Sequence, residues 1–164
     1  AIKIFVSLVP PLFRLLQKIN FMSSTNHSME VVYLGELRNQ ATHLASSNTL
    51  ITDAPLDNQG RGEAFSPTDL LCTSLATCMM TIMGIAARER DINLKDSTVR
   101  ITKVMAAKPR RVSEIRLHFT LVSSDLNDHQ LQVLKQAAHT CPVALSIHPD
   151  IHLEVTFEVL ERSE

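Results

Sequence analysis

Apolar and polar positions fall into distinct patterns along the chain, and each pattern predicts a different element. In residues 113–122, Ile115, Leu117, Phe119 and Leu121 fall on one side and Glu114, Arg116, His118 and Thr120 on the other, the period of a half-buried strand. Residues 151–160 repeat it with Ile151, Leu153, Val155, Phe157 and Val159 inward. Residues 97–105 read as a further strand with Val99, Ile101 and Val104 buried, followed by a basic hairpin loop at Lys108, Pro109, Arg110 and Arg111. Nearer the N-terminus, residues 29–37, 40–46 and 48–53 are short segments divided by the turn-formers Gly35, Arg38-Asn39 and Ser46-Ser47-Asn48. They predict an antiparallel meander.

Between the two sets of strands lies the longest apolar run, in which no residue from Leu70 to Ala87 carries a charge. Ser66 reads as its N-cap, Pro67 as its first helical residue and Asp69 as the partner that closes a capping box. Such a helix is expected to be buried on most of its surface. Thr73, Thr77 and Thr81, with Ser74 beside them, give it a hydroxyl-lined face suited to other backbone or to a partner subunit. The same residues dilute its hydrophobicity below that of a membrane span. Residues 54–65, rich in Pro, Asp, Asn and Gly, form a loop leading into it.

Asn127 and Gln130 form a second capping box, opening an amphipathic helix with Leu131, Val133, Leu134, Ala137 and Ala138 on its apolar face. It must stop at Thr140 or Cys141, because Pro142 pushes the preceding residue out of the α region. A short helix restarts with Pro142 at its first position, which makes Cys141 its N-cap. The order predicts an α+β fold, with antiparallel sheets packed around a long buried central helix and a second, shorter helix.

Residues 1–28 do not share the patterning of the rest of the chain. Their opening is apolar, but Pro10 and Pro11 interrupt it and no small-x-small cleavage site appears. They read as an N-terminal extension, an accessory helix from about Pro11 to Ile19 or an arm without catalytic role, ahead of one domain over residues 29–164. The formal charge is -1 with both signs interspersed, which argues against nucleic acid as a partner. Three cysteines, an odd number, point to a reducing compartment and so to the cytoplasm.

Those cysteines carry the candidate chemistry. A thiolate at a helix N-terminus is stabilised by unpaired N–H groups and the dipole, so Cys141 is expected to have a lowered pKa. Cys72 and Cys78 are six residues apart, hence about 120° apart around the axis, and cannot bridge each other. By themselves both read as core thiols. His139, Cys141, His148 and His152 have a spacing that fits no closed zinc site, so neither metal nor cofactor is expected. Arg61, between Gly60 and Gly62, reads as a solvated loop charge. Met79, Met80 and Met83 read as core, or as the wall of an apolar pocket.

Two segments together carry a resemblance. FSPTDLLCTSLATC, ending at Cys78, and AHTCPVALSI, with Cys141-Pro142 opening a short helix, resemble the two signature stretches of the OsmC/Ohr family of osmotically inducible and organic-hydroperoxide-resistance proteins. The similarity runs from about Met29 to Leu160. It implies an OsmC-like fold, an intertwined homodimer with sites at the subunit interface, and a thiol-dependent peroxidase acting on organic hydroperoxides. Cys78 then matches the peroxidatic cysteine and Cys141 the resolving one, the disulfide between them being reduced by an external dithiol. The family activates the first thiol with an arginine held by a glutamate. Here the glutamate position is Thr68 and the neighbouring carboxylate is Asp69; Arg61, in preference to Arg38, is the candidate cation. The pattern is nearer the general OsmC-like branch than the specialised hydroperoxidases. The alternative is a non-catalytic dimeric stress protein binding small apolar ligands.

Overall fold

A computed structural model describes residues 27–124 and 126–162. The helix expected from about Pro11 to Ile19 lies outside them. Contacts divide the chain into two compact units, residues 1–52 and 53–164.

The first unit carries the predicted meander. Strands β1 (Met29–Gly35), β2 (Arg38–His43) and β3 (Asn48–Asp53, whose last residue begins the second unit) form one sheet in that order. The β1–β2 turn falls at Glu36-Leu37, both with positive φ (47° and 64°), as a tight hairpin turn requires. It therefore precedes the expected Arg38-Asn39. β1 is open on both faces: Met29, Val31 and Tyr33 on one and Val32 and Leu34 on the other are all exposed.

In the second unit, Gly60 lies so close to Ala54 that an added Cβ would overlap the Ala54 carbonyl, so this loop position tolerates only glycine. Helix α1 (Pro67–Arg88) comes next, with Ser66 as N-cap and Asp69 closing the capping box. Cys72, Leu75, Ala76, Met79, Met83 and Ala87 form its buried stripe. Its opposite face, with Leu71, Ser74, Thr77, Thr81 and Ile85, is exposed. By length and composition α1 could cross a membrane, yet only 33% of its apolar window is buried within the chain. The expectation of burial on most of its surface is corrected accordingly. The open face is the hydroxyl-lined one, and Thr77 and Thr81 donate back to the helix carbonyls of Thr73 and Thr77 (2.9 and 2.8 Å).

Strands β4 (Thr98–Ala107), β5 (Arg110–Val122) and β6 (His152–Leu160) form the second sheet, in that order. Ile115, Leu117, Phe119 and Leu121 of β5 are at most 1% exposed, each contributing about 1.5–3 kcal/mol by burial. Phe119 stacks on Phe157 of β6 at 5.1 Å between ring centroids. On β4 the residues packed against this core are Val99, Ile101 and Met105 rather than Val104, since Met105 keeps the phase of two. β4 and β5 pair antiparallel, whereas β5 and β6 pair parallel. The all-antiparallel expectation fails at this pair because α2 (Asp128–His139) and α3 (Pro142–Ser146) form a crossover between the two strands.

Candidate functional site: a dithiol beside an ion-paired helix start

Two of the three thiols meet. Cys78, half-buried on α1, and Cys141, fully buried as the N-cap of α3, are both free and pack in the same core cluster, near enough for each thiol to be felt by the other. Cys141 reaches this place because Pro142 ends one helix and starts the next. Its Sγ accepts the Ala144 N–H at 3.3 Å. The expected lowering of its pKa is overturned. Burial pushes the Cys141 thiol up, the Ala144 N–H offsets part of that, and the neighbouring Cys78 sulfur adds to the rise. A helix N-terminus favours a thiolate only where water or charge can also reach it.

Chemically, two adjacent thiols can share a disulfide, and a partly open one backed by a buried one can pass through a sulfenic acid on the way. A cavity of about 420 Å³ lined by Leu71, Pro142, Val143, Ile147, His148 and Ile151 lies against α3. Leu71 is seven residues before Cys78, so the two share a flank of α1.

The other flank holds a different cluster. Asp69 Oδ1 accepts from Lys103 Nζ at 2.6 Å, and its Oδ2 accepts the Ser66 N–H at 2.8 Å and the Ser66 hydroxyl at 2.7 Å. Lys103 also donates to Thr68 Oγ1 at 2.9 Å and to Ser66 Oγ at 3.2 Å. Burial alone would raise the Asp69 pKa, but the bonds from Lys103 and Ser66 outweigh it and hold the carboxyl below its ordinary value. Cys72 is buried nearby. Burial raises its pKa, with Lys103 opposing and Asp69 adding. An open cavity of about 650 Å³ runs along this flank, with Phe65, Asp69, Cys72, Thr73, Ile101 and Lys103 in its wall.

The sequence-derived residues are therefore distributed unevenly. Cys78 and Cys141 come together. Asp69 takes a lysine of β4 where an arginine was expected, and Arg61 is an exposed residue of the loop before α1. Arg38 opens β2 in the other unit. Lys103 was missed, although a signal was present: it is in phase with the inward-facing Val99 and Ile101. Met79 and Met83 are core, while Met80 lines a cavity of about 310 Å³ near the C-terminal end of α1. Among the described residues, no three His, Cys, Asp or Glu side chains converge to hold a metal ion.

The chain is an α+β protein whose long central helix packs a cysteine near a Cys-Pro helix start. The family model for OsmC-like proteins matches residues 60–156, and the chain belongs to that family. A candidate osmotic stress induced and detoxification response protein from Psychrobacter arcticus 273-4 is 52% identical, over 82% of this chain and 98% of that one, with a TM-score of 0.79. Two more distant structures share the fold. One is an organic hydroperoxide resistance protein, OsmC, from Legionella pneumophila (18% identity, 83% and 100% of the two chains, TM-score 0.62). The other is an organic hydroperoxide resistance protein from Elizabethkingia anophelis (15%, 84% and 99%, 0.64). No curated protein matches the chain.

Proposed function

We propose that this protein is a dithiol peroxidase that reduces organic hydroperoxides in the cytoplasm, working as a homodimer. The observation that carries the reading is the placing of Cys78 and Cys141 together in one core cluster. The Cys78 thiolate attacks the terminal oxygen of the hydroperoxide, the O–O bond breaks, the alcohol leaves with a proton, and sulfur is left as a sulfenic acid. Cys141 then attacks that sulfur. Its proton and the departing hydroxyl leave as water, and a disulfide remains, which an external dithiol reduces by exchange. A thiol with a raised pKa keeps its proton until this second step, which suits Cys141 to resolving rather than attacking. The apolar cavity formed by Leu71, Val143 and Ile147 suits the organic part of the substrate.

A second copy of the chain is the natural cover for the apolar β1 and for the small-residue face of α1, since exposed apolar surface on this scale marks an association site. Consumption of cumene hydroperoxide in the presence of a dithiol tests the reading. Turnover in the wild type that is lost in Cys78→Ser supports it, and a wild type without turnover removes it. One observation favours a second reading, a non-catalytic binder of small apolar molecules: Thr68 stands at the family's glutamate position and Asp69 is engaged by Lys103.

A further inference from the structure

Lys103 occupies a position that strand alternation assigns to the core, and it brings a charge there. Its side chain is 18% exposed and its ammonium serves three residues at the start of α1: Ser66, Thr68 and Asp69. An ammonium has three donors, so all are used within this turn. Asp69 ties the same turn together through the backbone and hydroxyl of Ser66. The start of α1 and the middle of β4 are thus one joint.

We infer that Lys103 is a positioning residue for the dithiol, fixing the rotation and axial setting of α1 at which Cys78 meets Cys141. This rests on the reading of those two cysteines as a working pair. The remainder of the buried stripe of α1, Leu75, Ala76, Met79 and Met83 among it, holds the helix by apolar contact, which has no direction, and methionine side chains adapt to small shifts. Sulfur chemistry does not adapt: a disulfide needs its Cβ atoms about 3.5–4.5 Å apart. A rotation of about 20° moves an atom ~5 Å from the helix axis by about 2 Å, enough to lose the geometry. A partly exposed ion pair such as this one stabilises a fold little. What it supplies is direction, and here it joins the strand to the helix that carries the attacking sulfur.

The test measures the effective concentration of the two thiols in glutathione redox buffer. There the dithiol gives two electrons and two protons to glutathione disulfide, leaving the protein disulfide and two glutathiones. Loss of stability that affects the reduced and oxidised forms equally does not move this quantity; a misplaced sulfur does. Lys103→Ala is expected to lower it by up to about a hundredfold, the scale of an ångström-sized misplacement, and Lys103→Arg to restore it to within about twofold of the wild type. Because the 650 Å³ cavity opens beside the pair, methylammonium added to Lys103→Ala is expected to recover part of the loss. Asp69→Asn, which keeps the side-chain volume, gives the same direction of change and serves if Lys103→Ala does not fold. An unchanged effective concentration in a folded variant overturns the inference, whatever its Tm. Peroxide consumption is assayed separately: an inactive wild type with the expected loss in the variants removes the peroxidase reading and leaves the positioning role standing.

Discussion

Cys72 and Cys78 sit on one helix, about 120° apart around its axis, and their surroundings differ in kind. Cys72 has a cation close by, Lys103, yet burial dominates and its pKa is raised. Among the described residues no second thiol stands on its flank; Asp69 and Lys103 there are engaged with each other. Cys78 is less buried, and the second thiol Cys141 lies in the core cluster it packs against. Nearness to positive charge therefore does not by itself lower the pKa of a buried thiol. Lesser burial and a second thiol nearby separate Cys78 from Cys72.

The strongest test of this contrast is to remove each thiol in turn. Cys78→Ser is expected to lower peroxide turnover by at least about a thousandfold, as loss of an attacking nucleophile does, whereas Cys72→Ser stays within about twofold. Equal losses would erase the distinction. Next in size is Cys141→Ser. The first step survives without the second sulfur, so a sulfenic acid persists on Cys78 and is trapped as a dimedone adduct visible by intact-protein mass, while dithiol-supported turnover falls roughly tenfold. A wild type that traps as readily as the variant would show that Cys141 does not resolve the intermediate.

The sequence reveals these elements unequally, for physical reasons. The caps at Ser66-Asp69 and Asn127-Gln130 and the alternation of β5 are local, so their residues declare them. The direction of β6 is not local: a parallel and an antiparallel strand have the same period, and only the crossover decides. The apolar members of the β4 alternation do not reveal Lys103; the informative residue is the charged one in the same phase. At Cys141 the helix dipole was legible and the burial that outweighs it was not. The exposure of α1 escaped for a related reason. An apolar run shows that a face avoids water, without showing whether its own chain or another covers it.

Smaller than the thiol substitutions is the effect of Lys103 on stability. Lys103→Met removes the donor and leaves the Asp69 carboxylate partly buried, with its Ser66 bonds intact. Because Asp69 is 38% exposed, solvent takes over part of the lost interaction. The expected cost is about 1 kcal/mol, or roughly 2–4 °C in Tm for a chain of this size. Thermal melts of wild type and Lys103→Met measure it, and Lys103→Arg, which keeps the charge and donors, is the control at the same position. A drop far larger than this would mean that the pair holds the fold rather than only setting α1 on β4.

The smallest effect is in pH, and it separates the two flanks by the sign of their shifts. The Asp69 carboxyl is held below its ordinary value, burial being outweighed by Lys103 and Ser66, so over that interval the folded state binds fewer protons than the unfolded one. Stability from this group is then full above the unfolded carboxyl range, about pH 4–5, and is lost as pH falls through the folded pKa. Wild type should therefore exceed Asp69→Asn in Tm near pH 6, with the gap closing as the buffer is taken toward pH 3. On the thiol side the shift is opposite: Cys141 is raised by burial, so its contribution is present at neutral pH and is lost as pH rises through its folded pKa. The corresponding gap between wild type and Cys141→Ser narrows at the alkaline end. An Asp69→Asn gap that stays constant from pH 6 to pH 3 would show that the carboxyl is not held by the charge of Lys103, and the joint at the start of α1 would then be a neutral hydrogen-bonded cap.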